Sequence, residues 1–428
     1  MEIYFFKSNV QFVINALNKS KGCGFWFSDG LISYKGIDSV INFEKIWIEE
    51  TIFKPFHILY PELTQKYCVE TFESNPTRTK GGEKLLFFAS NDSHVFVYRD
   101  VLSKTSLKYS VYTRAKNSIN AGAILKHDKI NHFSDLTYGK IKNFNTLILC
   151  NDWGPLEQQL NMSFLLKSKN TICIQESVID FNKKTKRMLH CSFPIFQGIV
   201  TLKGINIEGR IMAVIGNPRY ENLRLQEVEK IENVLINVNF TYGIHENERD
   251  EWIKDVLNSC AKLHLNYSIV QHPQDRSDLS DYNVKRTNAS NIHFELENTG
   301  VLITRFSSLI HEALCLGRYV IYFNPHNEKL IYDFEADNIC LFYAENVNQL
   351  ISALKQISQN HNTIRVQDKI KTYLTRHIGT TSNGNASSFV AEFIKDVINY
   401  PIVRRVRFFD MFKVKLKKIK RKVFKQEF

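Results

Sequence analysis

Short apolar runs alternate with longer amphipathic stretches along most of the chain. Ile3–Phe6 reads as a strand followed by a helix. KLLFFAS and HVFVYRD read as two further strands, and the stretch from Thr64 to Glu83, with Pro76 and Gly81-Gly82, reads as a loop. A clearer unit begins at Asn145: TLILC is a strand, Asn151 to Pro155 a turn, LEQQLNMSFLLKSK a helix and TICIQES the next strand. An apolar run, a turn, a helix and another apolar run predict a parallel βαβ unit. GIVTLKG and RIMAVIGNPRY follow as strands running into loops.

The polar, helix-prone stretch from Leu223 to Val234 lies near the middle, and the alternation restarts beyond it. VLINVNF is a strand, ENERDEWIKDVLNSCAKLH a helix and NYSIVQHP a strand. After a polar region from Gln274 to Asn291 come the strand GVLITR, the helix SSLIHEALCLG, the strand YVIYFNP and the helix ENVNQLISALKQIS. Two successive α/β series predict an α/β protein with two Rossmann-like domains facing a cleft. The expected division is 1–228, 229–400 and a tail, 401–428. A chain of 428 residues suits two domains of roughly 200 residues each.

Charge changes this picture only at one end. Arg404 to Lys425 contains eleven Lys and Arg against Asp410, a net +10 of the chain's +12, so the remaining residues carry 12 − 10 = +2. Within this segment Phe412, Leu416, Ile419 and Val423 recur at helical spacing, with basic residues on the other face. That pattern predicts an amphipathic helix on an anionic membrane surface; a nucleic-acid-binding tail is the alternative. The near-neutral body and the lack of aromatic-basic interleaving in the strands argue against nucleic acid.

No run reaches the ~18 apolar residues of a spanning helix, and MEIYFFKSNV lacks the basic start of a signal peptide. The eight cysteines are scattered, with no CxxC pair, as in a reducing, cytoplasmic compartment. No DxD closes an apolar strand, since Asp278 to Asp281 lies in a polar loop, and the histidines are not spaced as ligands. Neither a metal nor another cofactor is expected.

Candidate chemistry gathers where buried strands end. GVLITR closes at Arg305, Ser307 and Ser308 open the following helix, and Gly317 ends it. Hydroxyls and free N–H groups there suit an anion, though Ser307 or Ser308 could equally serve as a simple helix cap. His272-Pro273 follows another buried strand at the same expected sheet edge. In the first half Glu176 and Asp180 lie just after the strand TICI, and Asp152 follows TLILC. Each is a candidate base or nucleophile, or a solvated loop carboxylate.

The HP pair after one strand and the serine pair after a later one resemble the motifs of bacterial polysialyltransferases and of capsule and lipopolysaccharide Kdo transferases. The resemblance spans about Phe240 to Ile357. It implies a metal-independent GT-B glycosyltransferase that uses a CMP-sugar. His272, Pro273, Ser307 and Ser308 would meet the phosphate, Arg305 would stand beside them, and Glu312 would face the ribose. The turn GNPRYENL is similar to one that closes the N-terminal sheet in related enzymes, so Asn217 and Arg219 join the candidate nucleotide-sugar contacts. CDP-polyol phosphotransferases of the teichoic-acid type have a similar HP element, and a non-catalytic basic-tailed adaptor is the alternative outside enzymes. The expected protein is thus a peripheral enzyme of the cytoplasmic membrane face. It would move Kdo or sialic acid from a nucleotide-sugar donor, bound mainly by the second domain, onto a lipid-linked or polysaccharide acceptor held by the first.

Overall fold

The computed structural model describes residues 1–75, 84–113, 121–134, 138–178, 187–228, 231–241, 243–287, 289–330, 332–359, 363–379 and 384–400. Asp180 and the basic tail lie outside this set. The chain forms two compact units. One comprises Met1–Glu221 and the C-terminal residues from Ile378, the other Asn222–His377.

The first unit is built on strands β1 (Glu2–Phe6), β2 (Gly22–Trp26), β3 (Lys45–Glu49), β4 (Cys68–Phe72), β5 (Lys84–Ala89), β6 (Lys108–Thr113), β7 (His132–Phe133), β8 (Thr146–Leu149), β9 (Asn170–Ile174), β10 (Phe193–Phe196) and β11 (Ile211–Val214). They lie in the order β4-β3-β1-β2-β11-β10-β9-β8-β5-β6-β7, and the pairings are parallel. Parallel strands covered on both faces need continuous apolar runs. TLIL of β8 and NTICI of β9 are accordingly buried at every position. From β5 the chain runs outward to β6 and β7, then returns to β8 on the other side of β5. The strand order therefore reverses between β5 and β8, which opens a crevice at their carboxyl ends.

The second unit contains β12 (Asn233–Val238), β13 (Asn266–Gln271), β14 (Lys285–Thr287), β15 (Val301–Thr304), β16 (Tyr319–Phe323) and β17 (Leu341–Ala344). Their order is β14-β13-β12-β15-β16-β17. Renumbered within the unit this is 3-2-1-4-5-6, the doubly wound arrangement whose switch point lies between its first and fourth strands, β12 and β15.

Several expectations are corrected. HVFVYRD is not a strand but part of the helix Asp92–Lys104. Asn91 Oδ1 accepts from His94 N at 3.1 Å and so caps it. His94, Val95, Tyr98, Val101 and Leu102 are buried at helical spacing. GIVTLKG forms the short 3₁₀ stretch Ile199–Gly204. The expected loop after Thr64 contains β4, and the polar region after Gln274 contains β14, both edge strands with little buried surface to announce them.

The sequence division at 228 falls close to the passage between units, but 378–400 join the first unit and not the second. The helix Ala386–Val397 explains why. Its apolar face is buried, with Phe393 edge-on to Trp26 at 5.5 Å. Trp26 Nε1 donates to Asp396 at 2.9 Å, and Glu221 accepts from Ser387 N at 2.7 Å and from its hydroxyl at 2.6 Å. The part of Leu223–Val234 that is described before β12 is not helical.

Candidate functional site

In the second unit the polar residues collect at the carboxyl ends of β12, β13, β15 and β16. His272 directly follows β13. Its Nδ1 accepts from Gln274 N at 3.1 Å, which leaves the proton on Nε2 as a donor. Burial lowers its pKa against the opposing pull of Asp275, so near neutrality the ring is uncharged. Pro273 beside it is exposed. Asp275 pins the turn, accepting from Phe240 N at 3.0 Å and from the Ser277 hydroxyl at 2.7 Å. Burial raises the Asp275 pKa, but these bonds and Arg249 outweigh it and hold the carboxyl below its usual range.

Beyond β15, Ser307 Oγ accepts from Leu309 N at 3.2 Å, and Ser308 precedes the helix Leu309–Cys315 without making a cap hydrogen bond. Both serines are half-buried. Arg305 is buried: Nη1 donates to Asn239 O at 2.8 Å, Nη2 pairs with Glu328 at 2.9 Å, and the guanidinium lies 4.4 Å from the centre of the Phe240 ring. It ties the loops after β12, β15 and β16 together. Glu312 is buried against His293, 2.7 Å from Nε2.

Two residues not singled out from the sequence stand at the same sheet edge. His245, in the left-handed region at φ 53°, follows β12. Its ring stacks at 5.5 Å on that of His326, which follows β16. The signal was available, because each stands a few residues beyond a buried run, as His272 does.

The first unit holds a carboxylate–histidine pair beside its β5/β8 crevice. Glu176, just past β9, lies 2.7 Å from Nε2 of His94 on the first turn of the Asp92–Lys104 helix. Nδ1 of His94 accepts from Ser90 N at 3.3 Å, so Nε2–H points at the carboxylate. Ser93 Oγ stands 3.3 Å from the same oxygen. Burial raises the Glu176 pKa, but His94, Arg219 and Ser93 outweigh it and keep the carboxyl below its ordinary range. Asn217 Nδ2 donates to the Glu176 carbonyl at 2.8 Å. Asn217 and Arg219 thus stand with Glu176 in the first unit.

Asp152 is fully buried and already engaged by three backbone N–H groups, Met188 at 2.7 Å, His190 at 2.6 Å and Cys191 at 3.1 Å. Burial raises its pKa against these bonds and the His190 charge. That geometry anchors a loop. Glu49 does the same after β1, accepting from Lys7 N and Ser8 N at 2.8 Å and Asn9 N at 3.0 Å. Glu176, by contrast, is held by the side chains of His94 and Ser93. Among the described residues no group of three or more His, Cys, Asp or Glu side chains is placed to hold a metal ion.

No family model matches this chain, and no curated protein does. Solved structures do. The UDP complex of MnaA from S. aureus is 10% identical, covering 74% of this chain and 97% of its own with a TM-score of 0.51. A putative UDP-N-acetylglucosamine 2-epimerase from Listeria monocytogenes is 11% identical over 75% and 98%, also with a TM-score of 0.51. The wall teichoic acid polymerase TagF is 15% identical over 75% and 90%, with a TM-score of 0.49. At these identities the likeness is one of fold, and the fold is GT-B, with two α/β units each on a parallel sheet.

Proposed function

We propose that the chain is a nucleotide-sugar glycosyltransferase whose second unit binds the nucleotide and whose first unit supplies the catalytic base, Glu176. One observation carries the reading: the second unit's 3-2-1-4-5-6 strand order sets His272 on one side of the β12/β15 switch point and Ser307 and Ser308 on the other. Open α/β sheets bind ligands at such a place. A neutral His272 with a free Nε2–H and two hydroxyls offer hydrogen bonds to phosphate oxygens without a metal. In the proposed transfer, Glu176 takes the proton of the acceptor hydroxyl while His94, its positioning residue, holds the carboxylate in place through Nε2–H. The sugar–phosphate bond breaks as the new glycosidic bond forms, and the nucleotide leaves with the bonding pair.

The preferred donor is a CMP-linked acidic sugar, Kdo before sialic acid, on the strength of the HP and Ser-Ser resemblance. The acceptor is a lipid-linked or surface polysaccharide on the cytoplasmic membrane face. A second reading, sugar-nucleotide epimerisation, is favoured by the fold likeness to the Listeria protein, whose name carries that activity. Thermal shifts with CMP, CDP, UDP and GDP separate the choices, because a ligand of the native state raises the melting temperature by mass action. A CMP-selective rise that falls about tenfold in affinity in His272→Ala is expected. A CDP-selective rise turns the assignment to polyol-phosphate transfer. A UDP-selective rise, with UDP-sugar interconversion and no transfer, makes the chain an epimerase. No rise with any nucleotide overturns the reading.

A further inference from the structure

The loop that joins β16 to β17 lines a cavity whose chemistry differs from that of the switch point. The cavity measures ≈ 760 Å³, within the ~300–1,000 Å³ common for small-ligand sites. Four aromatic rings line it: Tyr322 and Tyr343 from the paired strands, Tyr332 and Phe334 from the loop. They meet edge to face, Tyr322 against Phe334 at 5.6 Å and Tyr343 at 5.3 Å, and Tyr332 against Phe334 at 5.0 Å. Tyr343 keeps 38% of its surface exposed.

Interleaved with the rings are carboxylates, two of them held by arginines. Glu328 is paired with Arg305 at 2.9 Å. Both oxygens of Glu335 are gripped by Arg376, at 2.7 and 2.8 Å. Asn324 fixes the rest, donating to Tyr343 Oη at 2.9 Å and accepting from Glu328 N at 2.9 Å. Neither arginine lines the cavity, and Asp333 adds a third acid to the wall, which holds no Lys or Arg among the described residues. Among its described residues the loop bears three non-glycine residues at positive φ, Asn327 (52°), Glu335 (48°) and Asn338 (54°). Strain of that kind persists where the surroundings hold a loop in one shape.

Apolar ring faces beside fixed acceptors match a ligand with apolar C–H faces and outward hydroxyl donors. A carboxylate oxygen already bound by arginine keeps a lone pair for a further donor. The described lining offers phosphate and acidic sugars no cationic side chain, while the two arginine pairs remove most of the demand for a cation. We infer that this cavity is a binding site for a short, uncharged oligosaccharide, separate from the nucleotide site. The inference stands whether or not the chain transfers a sugar.

The test uses the full chain without nucleotide and follows saturation-transfer NMR with maltotriose, triacetylchitotriose, N-acetylneuraminate and CMP. At least one neutral trisaccharide should bind and not be displaced by N-acetylneuraminate or CMP. Tyr343→Ala should weaken it about fivefold or more, and Ala336→Trp, at an exposed lining position, should abolish it by filling the space. Nucleotide-induced thermal shifts should survive both changes, which keeps failure here distinct from failure of the nucleotide reading. Binding of neither neutral sugar, displacement by N-acetylneuraminate or CMP, or indifference to both variants overturns the inference.

Discussion

Glu176 and His94 show how unevenly single residues declare themselves. A carboxylate just past a buried strand is conspicuous in a βαβ pattern, so Glu176 could be found from the sequence. His94 could not, because HVFVY is a run of β-branched and aromatic residues such as a strand carries, and only the Asn91 cap and the buried face reveal the helix that aims its ring. Replacing Glu176 with Gln should abolish turnover and leave nucleotide affinity unchanged. His94→Gln should lower turnover less, and its pH–rate profile should move, since Glu176 loses a neighbour that holds its pKa down. Equal nucleotide affinity with undiminished turnover in Glu176→Gln would remove it from the chemistry.

His311 makes a separate prediction. It is fully buried, neither ring nitrogen has a hydrogen-bond partner among the described residues, and Tyr332, Phe334, Tyr373 and His377 surround it. Burial, with a smaller push from His377, holds its pKa well below 6.5. For a group whose folded pKa is depressed, the unfolded chain takes up the proton first. Its contribution is therefore complete above about pH 6.5 and is lost as pH falls towards the folded value, by up to ~1.4 kcal/mol per unit. Melting curves at pH 7.5 and 5 should show this loss, and His311→Phe, similar in shape and without a titrating group, should flatten it. His377, also depressed by burial, should leave a residual slope. An unchanged slope in His311→Phe rules out His311 as the source.

Among the elements, the long buried strands were legible and the edges were not. NVLINV, VLIT and YVIYF carry continuous apolar runs because helices cover both faces of a parallel sheet. KRT of β14 is a polar edge strand that exists through its pairing with β13, and no local pattern reports a pairing. The helix Leu309–Cys315 ended where expected, at Gly317, which sits at φ 84°. A Cβ there would stand 2.3 Å from the backbone oxygen of Gln226. Gly317→Ala should therefore destabilise the second unit by more than the ~1 kcal/mol of backbone strain alone, seen as a lower melting temperature with the first unit unaffected. A melting temperature within a degree of the wild type would show that the segment around Gln226 yields freely.

At the scale of the whole molecule, chain length and the alternation of apolar runs foretold two α/β units but not how the chain is shared between them. A helix such as Ala386–Val397 looks alike in sequence whichever sheet it covers, and its partners Trp26, Glu221 and Asn170 lie far away along the chain. Among the described residues no helix is long and apolar enough to cross a membrane, so a membrane role rests on residues 404–425 with their net +10. The full chain should sediment with anionic liposomes at low salt and release as salt rises. A chain ended after Ile402 should stay behind yet keep nucleotide binding. Tight binding to DNA or RNA without liposome binding would favour the nucleic-acid alternative. The return of the C-terminal helix to the first unit also sets an order of events on the ribosome. Domains usually mature in the order of synthesis, but here the second unit is translated whole while the first still lacks the helix that covers Trp26. The unit begun first is completed last, and a nascent chain halted before Ala386 carries a finished insert inside an open host, exposed to chaperones and proteases until translation resumes.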